Sequence, residues 1–131
     1  MNQISTTQRL WRMLLFLSFF IFLSSASLHA ATFYVNEATG NDARLPADAQ
    51  NEATPWKTIK HAFNAISSGD TVLVKPGIYT EGGLETNDDS ITLRADPRRQ
   101  ATIVGAPGNE AVFIENTGVV VEGFLITGGS I

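Results

Sequence analysis

Thr102-Ile-Val-Gly105 returns 23 residues later as Leu125-Ile-Thr-Gly128, sharing an apolar run that ends on glycine. Ile91-Thr-Leu-Arg94 returns 28 residues later as Val119-Val-Val-Glu122, sharing two-sided alternation and a charged fourth residue. Short strands recurring at roughly 20–30 residues are the unit of a parallel solenoid, in which each coil contributes about three strands. One coil cannot bury its inner face or pair its own edges, so neighbours must stack. The extra residues of the longer interval fit an outward turn at Asp96-Pro-Arg-Arg-Gln100. A small antiparallel sandwich also uses short alternating strands and is the competing architecture.

The same period of two runs through everything after Asp70. Thr71-Val-Leu-Val-Lys75 is stopped by Pro76-Gly77, and Ile78-Tyr-Thr-Glu81 by Gly82-Gly83. Ser90–Arg94, Thr102–Gly105, Ala111–Glu115, Val119–Glu122 and Phe124–Gly128 follow, separated by turns bearing Gly, Asn, Asp or Pro. Before Asp70 the chain differs. Thr32-Phe-Tyr-Val35 reads as a strand, and Ala43 to Ala53 as an aperiodic surface loop. Ile59, Ala62, Phe63 and Ile66 then fall at i, i+3, i+4 and i+7, which predicts one narrow apolar helix stripe. Thr54-Pro55 or Thr58 supplies its start, and Gly69 marks its end.

The first thirty residues read as an export signal. Arg9 and Arg12 precede the apolar run Met13–Leu23, and small residues lead to Ala30-Ala31. The run falls short of the roughly 20 apolar residues a membrane-spanning helix needs. Cleavage after Ala30, with Ala26 as second choice, leaves no stable membrane anchor and places the protein outside the cell, in the periplasm or in the cell envelope. The mature chain then has 101 residues, with 7 basic against 13 acidic. That balance argues against nucleic acid, which calls for a clustered basic surface. With no cysteine in the sequence, disulfides and Cys-ligated metals are excluded. The organisation is thus residues 1–30 signal, 31–70 strand, loop and helix, and 71–131 stacked strands.

Phe33-Tyr-Val35, Gly40-Asn-Asp42, Pro55-Trp-Lys-Thr-Ile59, Ala62 and Gly69-Asp-Thr-Val-Leu-Val-Lys-Pro-Gly-Ile-Tyr-Thr-Glu81 together resemble the opening of secreted right-handed parallel β-helix proteins. This is the pectin-lyase-like fold, and the nearest look-alikes are family-nine pectate lyases and their uncharacterised relatives. Val119-Val-Val-Glu-Gly-Phe-Leu-Ile126 looks like a further rung. The resemblance implies an all-β, right-handed parallel β-helix of two to three coils, its first coil capped by the Ile59–Ile66 helix. It also implies kinship with polysaccharide lyases acting on acidic polysaccharide with Ca²⁺. This entrance module is shared with noncatalytic carbohydrate-binding and envelope proteins, so it specifies fold more than activity. In the look-alike lyases the catalytic Lys and the calcium cluster lie in later coils, so no catalytic residue is carried over. Phe124–Ile131 remains apolar without a polar cap, which predicts truncation at the C-terminal end or an open edge that self-associates.

β-Elimination at a uronate needs a base for the α proton and a cation on the carboxylate. Asp88 and Asp89, with Asn87 and Glu85 beside them, are candidate calcium ligands; a simple turn before Ile91 is the alternative. Gly40-Asn-Asp42 with Asp48 is a second acidic loop of the same kind. Arg98 and Arg99 are candidates to grip an acidic sugar, and Tyr79 to stack on one. Trp56 and Phe124 suit core packing better, and Lys75 a solvated outward position. No Ser-His-Asp arrangement, phosphate loop or His-metal spacing is present.

Overall fold

A computed structural model describes residues 29–128, so nearly all of the signal segment lies outside the described residues. The described chain is strand-rich, and all its sheets are parallel. The strands are β1 (Thr32–Val35), β2 (Thr71–Val74), β3 (Gly77–Thr80), β4 (Leu84–Glu85), β5 (Thr92–Ala95), β6 (Ala101–Gly105), β7 (Val112–Phe113), β8 (Val120–Glu122) and β9 (Leu125–Gly128). Two helices, α1 (Pro46–Ala49) and α2 (Ile59–Ala65), lie between β1 and β2. The strands form three sheets in the orders β1-β2-β5-β8, β3-β6-β9 and β4-β7. After β1, successive strands are thus dealt to the sheets in rotation. All pairs are parallel, which excludes the antiparallel sandwich.

Register follows the sequence spacing. Thr102 pairs with Leu125, and Gly105 with Gly128, at the 23-residue interval; Thr92 pairs with Val120 at 28. Equal side-chain parity at each paired position carries apolar residues to one side. Phe33, Val72 and Leu93 stack in one row, Val35, Val74 and Ala95 in a second, and Tyr79 sits beside Ile103. All are buried. Parallel strands satisfy their backbone groups only through such neighbours, and the inward rows remove apolar area from water at about 25 cal/mol per Å².

α2 begins at Thr58, whose hydroxyl accepts the His61 backbone N–H, so the later of the two predicted starts is used. Ile59, Ala62, Phe63 and Ile66 are all buried, with Phe63 only 2% exposed. The stripe packs into the same core cluster as the strands. Trp56 joins that core, its ring stacked on Phe33 at 5.1 Å and its Nε1–H donated to the Arg44 carbonyl.

Four local expectations are corrected. The 43–53 loop contains α1, one helical turn with Pro46 at its start and Ala49 fully buried; four residues are too few to display a period. β4 was unforeseen for the same reason, being two residues long. The Ala111–Glu115 strand shrinks to Val112–Phe113 because its partner among the described residues, β4, offers no more ladder. The helix ends at Ala65, and Gly69 instead turns the chain into β2 with φ +90°.

Candidate functional site

A concave feature furnished with polar groups lies where the exit of β3 meets the start of α2. It is a cleft of about 220 Å³ lined by Glu37, Lys57, Thr58, Ile78, Tyr79, Thr80 and Glu81. Three segments deliver these groups: the turn after β1, the entry to α2, and β3 with its exit.

Glu81 is the best-fixed member. Its Oε1 accepts the Ile59 N–H at 2.9 Å and its Oε2 the Lys60 N–H at 2.7 Å, satisfying two of the donors that a helix start leaves open. Burial pushes the Glu81 carboxyl above the usual carboxylate range, and the negative charge of Asp42 adds to this against the pull of the two N–H groups. Asp42 holds the preceding residues: Oδ1 accepts the Lys57 and Thr58 N–H groups, and Oδ2 the Thr58 hydroxyl at 2.7 Å. Burial raises Asp42, but these hydrogen bonds and the nearby His61 outweigh it, leaving the group below its ordinary value.

Tyr79 lies beneath the cleft. Its hydroxyl donates to the Lys75 carbonyl at 2.9 Å and accepts the Glu37 N–H at 3.2 Å. Burial pushes the phenol up to about 12. The ring is 2% exposed and inward-facing, so it cannot present a face for sugar stacking.

The other sequence-derived candidates are scattered. Arg98 donates to Glu122 Oε2 at 2.8 Å, and Arg99 donates its backbone N–H to the Gly123 carbonyl; both stand on the exposed turn after β5, away from Tyr79. Asp89 Oδ1 accepts the Thr117 N–H at 2.8 Å, and its carbonyl accepts the Ser68 hydroxyl, bracing the turn between strands. Among the described residues no three His, Cys, Asp or Glu side chains gather as metal ligands. Asp88 and Asp89 therefore gather no third such side chain, where calcium takes six to eight oxygens. Asp42 and Asp48 are likewise engaged by local backbone N–H groups.

Lys75 departs from the expected solvated position. Its ammonium pairs with Glu52 at 2.6 Å and Asp96 at 3.0 Å, and its side chain is only 15% exposed. The hydrogen bond it donates to Glu52 is the main cause that raises its pKa, opposite to what a proton-abstracting lysine requires.

The cleft thus offers carboxylate and hydroxyl acceptors, one ammonium and an apolar wall at Ile78. Glu81 is committed to the helix start, so the arrangement suits hydrogen bonding to a polyhydroxylated ligand better than proton transfer. Sequence reading missed Glu37, Asp42, Lys57, Thr58 and Glu81 as a group because they are brought together across 44 positions of chain with no local motif. Their one visible signal was an isolated Glu closing an otherwise uncharged strand. No family model matches the chain, and neither does any curated protein or solved structure.

Proposed function

We propose that this chain is a right-handed parallel β-helix of the pectin-lyase type, exported by its first thirty residues, and that it recognises carbohydrate without eliminating it. The observation that carries this reading is the rotation of strands through three parallel sheets, with the 28- and 23-residue recurrences setting the register of β5 on β8 and β6 on β9. A winding coil deals strands in that order; it also explains why α2 and Trp56 join the core beside β1, as a plug for the first coil. The kinship with family-nine pectate lyases rests on the Gly69–Glu81 segment and its companions.

The reading without elimination chemistry is supported by how the groups are used. Lys75 is held protonated by two carboxylates, and among the described residues Asp88 and Asp89 gather no third metal-ligating side chain. A working calcium-dependent lyase is the competing reading. The mature chain incubated with polygalacturonate and calcium is expected to give no rise in unsaturated-uronate absorbance, while its mobility is retarded in gels containing polysaccharide. A calcium-dependent rise would replace binding with catalysis. Sequencing the N-terminus of the exported protein checks the address: cleavage after Ala30 is expected.

A further inference from the structure

We propose that the outward face of the β3-β6-β9 sheet, together with the cleft at its first strand, binds a neutral polysaccharide chain. The inference rests on the carbohydrate reading above and names the class of glycan. It differs from the acidic polysaccharide that the family resemblance implies.

Ile78, Thr102 and Leu125 are paired in register, as are Thr80, Val104 and Thr127. Their alternates Tyr79 and Ile103 point into the core. Six side chains therefore stand outward in two parallel rows, and none is charged. Ile78 is 66% exposed and Thr80 is also exposed, Thr102 and Val104 are half-buried between their neighbours, and every residue of β9 is open, the inward-parity Ile126 included. The adjacent sheet, fed by the same turns of chain, has the opposite character. There Arg94 of β5 lies beside Glu122 of β8, and the turns that leave β2 and β5 bring Lys75 to Asp96 and Arg98 to Glu122. Charge is thus placed on one face of each turn and withheld from the next.

A flat array of methyl groups and hydroxyls matches the C–H face and hydroxyl rim of a pyranose ring. Strands recur about every 4.8 Å, a step comparable to one sugar residue of an extended chain, so successive rings can meet successive strands. At β3 the array runs into the cleft, because Ile78 and Thr80 line both. The cleft has room for one ring, with Thr58, Lys57 and Glu37 around it.

Charge selects the occupant. A polyuronate brings one carboxylate per residue; the six outward side chains offer it no cation, and in the cleft the single ammonium of Lys57 stands against the two carboxylates of Glu37 and Glu81. Burying an unpaired carboxylate is costly, whereas a neutral chain brings no charge to desolvate.

The test is titration of the mature protein with cellohexaose, xylohexaose and hexagalacturonate, followed by calorimetry. A neutral hexasaccharide is expected to bind and hexagalacturonate not to. Thr102→Lys is expected to weaken the neutral ligand by about tenfold or more without changing the melting curve, because it sets a charge under an apolar sugar face. Thr80→Lys, at a more exposed position, repeats the test independently of any packing disturbance, and Arg94→Ala on the neighbouring sheet is expected to leave binding unchanged. Preference for hexagalacturonate would overturn the neutral-glycan inference while leaving carbohydrate recognition intact. Failure of all three ligands would overturn both. Neutral binding that survives both lysine variants would place the sugar elsewhere, and a dimer abolished by Thr102→Lys would assign the face to a second copy; either result overturns the proposal.

Discussion

The carboxylate of Glu81 accepts the backbone N–H of Lys60 at 2.7 Å, tying the exit of β3 to the first turn of α2 across 21 residues of chain. A seven-residue helix is too short to hold itself in water, so its position depends on tertiary anchors. Glu81 supplies one end of that anchorage and the buried stripe supplies the other.

Removing the carboxylate leaves the Ile59 and Lys60 N–H groups without their acceptor. Glu81→Ala is expected to lower unfolding free energy by about 1–2 kcal/mol, the range for lost helix-start capping. Urea unfolding measures it. A wild-type midpoint would show that the apolar stripe alone positions α2.

Acid should act on the two capping carboxylates with opposite sign. Glu81 titrates above its unfolded value, so the folded state holds its proton more tightly; as pH falls through the folded Glu81 pKa, this group adds relative stability. Asp42 titrates below 3.8, so its contribution is present above that value and is lost as pH falls through the depressed folded pKa. Glu81→Gln is expected to remove the first limb of the pH–stability curve, and Asp42→Asn the second. Carboxyl carbon chemical shifts followed through the titration assign the two steps; Glu81 titrating below Asp42 would refute the assignment.

The strands were legible because period two, punctuated by Gly and Pro, is local information. The 23- and 28-residue recurrences even gave the register, since stacked strands must repeat their inward residues. The cleft was not legible. Glu81 reads as a strand-end charge, Asp42 as a turn residue, and Thr58 as a helix start; only the winding of β3 beneath α2 makes them one site. Tyr79 shows the converse failure. Its ring suggested sugar stacking, but strand parity points it inward beside Ile103, where its hydroxyl finds the Lys75 carbonyl. Arg98 is paired with Glu122, a partner 24 residues away that no local pattern announced.

Phe63 carries the largest ring in the α2 stripe and is 2% exposed. Phe63→Ala is expected to cost about 3–5 kcal/mol, and Phe63→Asp more, since it adds an unpaired buried charge. Both should sharply reduce soluble yield, with Lys60→Ala on the exposed side of the helix as the control. Equal yields from Phe63→Asp and Lys60→Ala would refute the packing of α2 into the core.

Two glycines separate steric from conformational necessity. A Cβ on Gly40 would overlap the carbonyl oxygens of Trp56 and Asn36 and crowd the Lys57 backbone, and all three are main-chain atoms that no rotamer can move aside. Those same carbonyls are in use: Asn36 N–H donates to the Trp56 carbonyl at 2.8 Å, and Gly40 N–H to the Asn36 carbonyl at 2.8 Å. A side chain there must open the turn that brings Asp42 to the start of α2. Gly69 has open space where a Cβ would sit but holds φ +90°, so Gly69→Ala pays only left-handed strain, about 1–2 kcal/mol. Gly40→Ala is therefore expected to exceed it, at about 3 kcal/mol or more, through the packing and hydrogen bonds it breaks. Chemical denaturation of the two variants side by side decides the point: if Gly40→Ala proves the milder change, the turn yields freely and Asp42 is not fixed by it.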